Sequence, residues 1–429
     1  MSPITHWAYT GLDMTKEQLL KAITDYYLGS PDFNGLPVRT VEVPRKRLES
    51  LLIALIKDGD ISVRFDDGPD NPYIKRLKPL AKEKQIDRLK QTEDITHVVA
   101  YPEGEKLKKA VVPQRYSGKP YRLIVAKGMP VLECAYFKLE SLEKFRNDPR
   151  YYYQINDIVG VIYNYDSEEP NKADSLYIKS VGFAYDDDMN RVVCIFYADL
   201  MDLSKDQQQY WKHYEVNGNY RPHPDYIWSQ VYGQWPDKGS LPEAFTAELE
   251  AINELTMGGY GKKLFKNDYS GHDRPKELGF LIRPTAKEFE AFIHILDKLL
   301  SENIDKKFFR SLVGPETEEP RKDGKIIVKQ KASLNMLEEH IRECFKPKGN
   351  SDDLDKMFST FKKIRSMRTK PAHSIQPDEF DMKYFKEQRA LLIEAYSALR
   401  LLRLILQNHP NADRSKIPDW LYKGDIRTY

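Results

Sequence analysis

Cysteine is scarce: three residues in 429, Cys134, Cys194 and Cys344, far apart in the chain. An odd, scattered set argues against a disulfide framework and against a four-cysteine zinc site, and it suits a reducing, cytoplasmic compartment. Long apolar runs are missing too; none approaches the roughly 18 residues that a membrane span needs. The opening stretch MSPITHWAYTGLDM has neither the basic start nor the apolar middle of a secretory signal. Excess charge of one sign is also lacking, since 67 Lys+Arg against 65 Asp+Glu leave a formal net charge of +2. No overall field therefore attracts nucleic acid, and any such contact has to come from local basic patches. Internal repeats and low-complexity tracts are absent.

What is present is an ordinary globular composition. Apolar residues make up 41% and charged residues 31%, which excludes a disordered chain. The length exceeds what a single core supports and points to several domains. Tyrosine is abundant at 27, a residue that suits surfaces on which bases stack.

Residues 1–95 read as a helical module. Thr15 and Gln18 form a capping-box pattern opening a helix over KEQLLKAITDYY. A second helix covers RKRLESLLIALIKDG, with Leu48, Leu51, Leu52 and Leu55 on one face, and DISVRF follows as a short strand. Helix, tight turn and strand fit the end of a winged helix-turn-helix, and equally a helical cap with one edge strand. KPLAKEKQIDRLKQTED reads as a charged helical linker.

Residues 96–282 read as a mixed α+β domain with an antiparallel sheet, of sensing or RNA-recognition role. YRLIVA, IVGVIY, SLYIKSVGFAY and RVVCIFYADL are strand-like, and YDDDMNR suits a hairpin loop between the last two. Helices are expected over SKDQQQYWKHY and PEAFTAELEAINEL.

Residues 283–429 read as a helical bundle. Thr285 and Glu288 form a capping box, followed by Phe289, Phe292, Ile293, Leu296, Leu299 and Leu300 at helical spacing. A polar loop, GPETEEPRKDGKIIVKQKA, precedes a second helix, LNMLEEHIRECF. A third begins near Asp353, with Leu354, Met357, Phe361 and Ile364 on one stripe. Asp378 is placed to cap the fourth and longest, on which Phe385, Leu392, Ala395, Leu399, Leu402 and Leu406 recur. Four such helices make a bundle.

The stripe of the third helix steps next onto Arg368, where a leucine would otherwise pack. A buried unpaired charge is expensive, so this position should border a groove. Five basic residues, Lys362, Lys363, Arg365, Arg368 and Lys370, crowd positions 361–370 with no acid among them. Pro371 then pushes Lys370 out of helical geometry, and the bend can turn His373 back beside Arg368. Such a pair suits RNA cleavage. Histidine takes a proton from the attacking 2′-hydroxyl or gives one to the leaving 5′-oxygen. Arginine grips the phosphate bidentately and offsets the charge of the transition state. Lys362, Lys363, Arg365 and Lys370 would hold flanking phosphates.

Arg368-Thr369-Lys370-Pro371-Ala372-His373 resembles the R-x4-H signature of HEPN ribonucleases, and it sits where that family carries it, between the third helix of a bundle and a long last helix. The PAHS ending is similar to that of bacterial HEPN proteins from toxin and anti-phage defence systems. The resemblance covers about residues 285–410. It implies a homodimer, two motifs across a composite cleft, and metal-independent endoribonuclease chemistry without a cofactor, carried by Arg368 and His373. It also implies control by an antitoxin or a phage-derived trigger. Family members often place Asn, Asp or His directly after the arginine, and Thr369 departs from that, with a hydroxyl in a supporting place. The rival reading is a regulatory nucleic-acid-binding protein whose bundle only dimerises; a metal-dependent nuclease in the middle domain is a second rival.

Other motifs read as structural. MGGYGKK lacks phosphate-loop spacing and fits a hinge. PHPD around His223 fits a packed loop, SGHDRP with His272 and Asp273 a loop before a boundary, and PDNPYIK lacks the remaining acids of a nuclease. His294 and His340 lie on or beside apolar helix faces, and Cys344 reads as core.

Overall fold

The computed structural model describes residues 9–10, 13–66, 71–72, 74–75, 79–156, 158–164, 176–235, 239–269, 271–320, 326–346, 350–369 and 377–427. The fold is mixed α+β. It packs as two compact units. The first comprises Met1–Ser141, Arg150–Tyr152 and Val161–Gln234; the second comprises Leu142–Pro149, Tyr153–Gly160 and Trp235–Tyr429. The boundaries expected near residues 95 and 282 do not coincide with this division, and particular contacts explain why.

In the first unit, α1 (Lys16–Gly29) starts at the reciprocal Thr15–Gln18 capping box, and α2 (Arg45–Asp58) stops at Gly59, whose φ of 77° is the left-handed conformation glycine adopts cheaply. Leu48, Leu51, Leu52 and Leu55 of α2 are buried. Strands β1 (Leu36–Pro37), β2 (Ile61–Arg64) and β3 (Val99–Pro102) form an antiparallel sheet with β3 in the centre. Because β3 closes this sheet, the chain past residue 95 belongs with the N-terminal module. The stretch read as a charged linker is also part of it. Helix α3 (Lys82–Gln91) buries Leu89, and its buried Gln85 accepts the Val63 N–H at 2.8 Å.

A second sheet follows in the order β4 (Cys134–Phe137), β6 (Arg191–Phe196), β5 (Tyr177–Tyr185), all antiparallel, with residues 161–164 beyond β5. The turn at 186–190 joins β5 and β6 as a hairpin. YRLIVA is not a strand. It forms helix α4 (Pro120–Ala126), with proline in the first turn and Tyr121, Val125 and Ala126 buried on one face. A short apolar run carries no period of its own, so its flanking proline decides. Helix α5 (Lys205–Tyr214) opens at Ser204, whose hydroxyl accepts the Gln207 N–H, and α6 (Pro224–Tyr232) is capped by buried His223.

The second unit is built on α7 (Leu241–Tyr260), α8 (Ala286–Leu299), α9 (Ser333–Cys344), α10 (Asp352–Thr369) and α11 (Lys383–Leu406), which share one hydrophobic core. The expected four helices are joined by α7, which packs along α11 and extends well past the predicted PEAFTAELEAINEL. Within MGGYGKK, Gly258 and Gly259 finish α7 and Gly261, at φ 68°, caps it, so this stretch is a helix end and no hinge. The polar loop before α9 contains a hairpin of β7 (Glu316–Pro320) and β8 (Ile326–Gln330), with Ile326 and Val328 exposed.

Two capping expectations are corrected. Thr285 accepts the Glu288 N–H, but the Glu288 carboxylate turns back to the N–H groups of Ile282 and Arg283 and does not complete the box. Asp378 caps α8, accepting from Lys287 N at 3.0 Å, while Asp381 accepts from Lys383 N at the start of α11.

Candidate functional site

The stripe on α10 is as read from the sequence. Leu354, Met357, Phe361 and Ile364 are 5%, 1%, 3% and 0% exposed, and Arg368 follows at the edge of the core with its side chain 32% exposed. The cation is there because a carboxylate meets it. On α8, Ile293, Leu296 and Leu300 line the buried face, and Asp297 sits among them with no exposed side-chain surface. Arg368 Nη1 donates to Asp297 Oδ2 at 2.9 Å and also to Glu302 Oε1, in the turn after α8. The bond to Arg368 holds the Glu302 carboxyl below the usual carboxylate range, and His294, one turn before Asp297, adds to that effect.

Both carboxylates fall on the same nitrogen. A guanidinium has five N–H donors in a planar fork. Nε and Nη2 of Arg368 have no partner among the described residues, so one edge of the fork is anchored and the other is open. Asp297 Oδ1 is buried and has no hydrogen-bond partner among the described residues either. An anchored guanidinium with a free bidentate edge is pre-organised to grip a phosphate.

The neighbouring cations divide. Lys362 pairs with Glu338 at 2.6 Å and Lys363 with Glu394 at 2.6 Å. Arg365 is exposed, and its guanidinium has no anionic partner among the described residues. Lys370 and His373 lie outside the described residues, and of Thr369 only the backbone, the last residue of α10, is described.

Asp297 and Glu302 are not among the residues the sequence singles out, although it carries one signal for Asp297. Asp297 breaks the apolar stripe of α8 just as Arg368 breaks that of α10, and two opposite breaks on packed helices are natural partners. Elsewhere, His340 is buried and its Nε2 lies 3.2 Å from the Tyr260 hydroxyl, consistent with a packing role; burial lowers its pKa. Cys344, expected in the core, is exposed beyond the end of that apolar face, with its Sγ 3.6 Å from His340 Nδ1. Cys134 and Cys194 are buried on neighbouring strands.

Among the described residues, no group of three or more His, Cys, Asp or Glu is placed to hold a metal ion, and no helix is long and apolar enough to cross a membrane. No protein-family model, curated protein or solved structure matches the chain.

Proposed function

We propose that the protein is an endoribonuclease of HEPN type, acting through Arg368 and His373 in a cleft shared by two copies of its C-terminal bundle. The observation that supports this reading is the half-anchored guanidinium: Asp297 and Glu302 occupy Nη1, and the outer edge stays open. In this reading Arg368 grips the scissile phosphate. The 2′-oxygen attacks phosphorus as its proton passes to one imidazole, and the bond from phosphorus to the 5′-oxygen breaks as that oxygen takes a proton from a second, protonated imidazole across the shared cleft. The products are a 2′,3′-cyclic phosphate and a 5′-hydroxyl, with no metal required. His373 enters on the motif alone. The winged-helix-like N-terminal module and the antiparallel sheet of the first unit would recognise RNA or a trigger; in the cytoplasm an antitoxin would restrain the activity or a phage-derived trigger would release it.

Purified protein incubated with RNA tests the reading. Fragments ending in 2′,3′-cyclic phosphate and 5′-hydroxyl are expected, in the presence of EDTA; His373→Ala should abolish them, and so should Arg368→Lys, which keeps a cation beside buried Asp297 and loses the bidentate fork. A double variant that cuts as fast as wild type overturns the assignment.

One observation favours a second reading. Two carboxylates meet one cation, and such an ion pair can simply fasten α10 to α8. The protein would then be a regulatory nucleic-acid-binding protein whose bundle dimerises. Overexpression separates the two, because only the ribonuclease predicts growth arrest that His373→Ala relieves.

A further inference from the structure

A second basic feature lies in the bundle unit, away from the motif helix in sequence. Lys262, Lys263 and Lys266 on one segment, with Lys307 and Arg310 on another, line a cleft of about 440 Å³. The one acid lining it, Asp305, is occupied in capping the 306–309 turn through the Lys307 N–H at 2.9 Å. Five cations thus face one carboxylate, in a chain whose charges otherwise nearly cancel. The side chains of Lys262, Lys307 and Arg310 have no anionic partner among the described residues, and all five cations are exposed. Like charges are not gathered this way without cost, and an anion is what relieves it.

The scaffold beneath is rigid. Asp305 N donates to Leu264 O at 2.9 Å, and Lys266 N donates to Asn303 O at 2.9 Å. Buried Asn303 exchanges side-chain bonds with the Asn267 backbone in both directions, at 3.0 and 2.7 Å. Phe265 and Phe308, each 2% exposed, form the floor. The cations therefore sit on a fixed frame.

This cleft and the Arg368 site meet at one residue. Lys266 Nζ donates to the Glu302 carbonyl at 2.6 Å, while the Glu302 carboxylate accepts from Arg368. We propose that the cleft binds the phosphodiester backbone of single-stranded RNA and continues the track that begins at Arg368. The choice of RNA rests on the ribonuclease reading above. A strand fits better than a compact anion, because the cations are spread over two segments and do not converge on a point. Contacts of this kind position a strand without reading its bases.

The test uses the full chain and a short single-stranded RNA with every 2′-hydroxyl methylated, which cannot supply the attacking oxygen. Binding is followed by fluorescence anisotropy across a salt series. The Lys262→Ala/Lys307→Ala/Arg310→Ala variant should lose affinity on the order of tenfold, and its log K against log salt slope should become shallower by about 2. Its thermal melt should match wild type, since the three side chains are exposed. Arg368→Lys, which keeps a cation beside Asp297 and loses the fork, should abolish cleavage of unmodified RNA and weaken binding less than the triple variant does. A triple variant that binds with wild-type affinity and slope overturns the proposal, as does displacement of the strand by an equimolar nucleoside triphosphate. If wild type cleaves no RNA and the triple variant still loses affinity, the cleft stands and the ribonuclease reading falls.

Discussion

Asp297 Oδ2 receives Arg368 Nη1 at 2.9 Å, from a carboxylate that has no exposed surface. Each residue interrupts an apolar helix stripe, and each makes the other tolerable, because a buried charge survives only when paired. The carboxylate fixes the orientation of the fork and so acts as a positioning residue for phosphate. Asp297→Ala should lower kcat by about 10²-fold, the scale of an ångström-sized misplacement, with KM little changed. Asp297→Asn, which keeps an acceptor oxygen, should recover part of the loss. Glu302→Gln removes an exposed negative charge beside the same phosphate position, and should tighten RNA binding at low salt and lose that gain at high salt. Steady-state cleavage of a fluorogenic RNA reads the kcat and KM split, and a rise in KM with kcat unchanged would refute the positioning role.

Arg365 offers the cleaner phosphate contact on α10, since it is exposed and has no anionic partner among the described residues. Lys362 and Lys363 are each held 2.6 Å from a glutamate, and gripping phosphate would first require breaking that pair. Arg365→Ala should therefore weaken RNA binding uniformly across sequences and make the salt slope shallower by about 0.7. Lys362→Ala and Lys363→Ala should change it less. Anisotropy titrations over a salt series check the order; equal effects at all three positions would mean that the ion pairs do not compete with RNA.

Where the sequence was legible, local chemistry and period agreed. The Thr15–Gln18 box, the Gly59 stop and the α10 stripe are read within a few residues and are as expected. Legibility failed where distant chain decides. Asp378 lies close to its own helix in sequence, yet it caps α8 across the fold. Thr285 and Glu288 have box spacing, yet Arg146 pairs with Glu288 at 2.7 Å and the carboxylate turns to other N–H groups. The site was half legible for the same reason. Arg368 was visible as a break in a stripe, but its partners come from another helix and the turn after it, and no spacing rule joins residues 297 and 302 to 368.

Within the shared apolar core, one buried pair joins α7 to α11. Arg403 of α11 and Glu248 of α7 have no exposed side-chain surface, and their Nε–Oε2 distance is 2.5 Å. Arg403 also donates to Glu248 Oε1 at 3.2 Å and to the Leu421 carbonyl at 3.3 Å, so one guanidinium joins three segments. Burial raises the Glu248 carboxyl and Arg403 opposes that rise. Arg403→Ala should cost about 3–5 kcal/mol because it leaves Glu248 buried and unpaired. Glu248→Leu combined with Arg403→Met should cost far less, since no buried charge remains. Urea unfolding midpoints of the single and double variants decide it, and a double variant as unstable as the single one would show that packing, and not charge, carries the loss.

Asp199 sets a pH dependence of opposite sign to that of an ion-paired carboxylate. It follows β6, and its Oδ2 accepts the Ser180 N–H of β5 at 3.0 Å. Burial pushes its carboxyl from 3.8 up to about 6, while the Ser180 N–H and the Lys179 charge pull the other way. Between these values the folded chain holds a proton that the unfolded chain has released. Stability of the first unit should therefore fall as pH rises from about 4 to about 6 and then level, by at most about 3 kcal/mol from this group. Asp199→Asn keeps an acceptor for Ser180 and removes the titration. Its stability should exceed wild type at neutral pH by that amount and match it near pH 4. Exposed, paired carboxylates such as Asp58, lowered by Lys16, contribute in the reverse sense in both proteins, so the difference between the two curves isolates Asp199. Denaturant midpoints across this pH range give that difference directly, and curves that stay parallel throughout would mean that the Ser180 bond already compensates the burial.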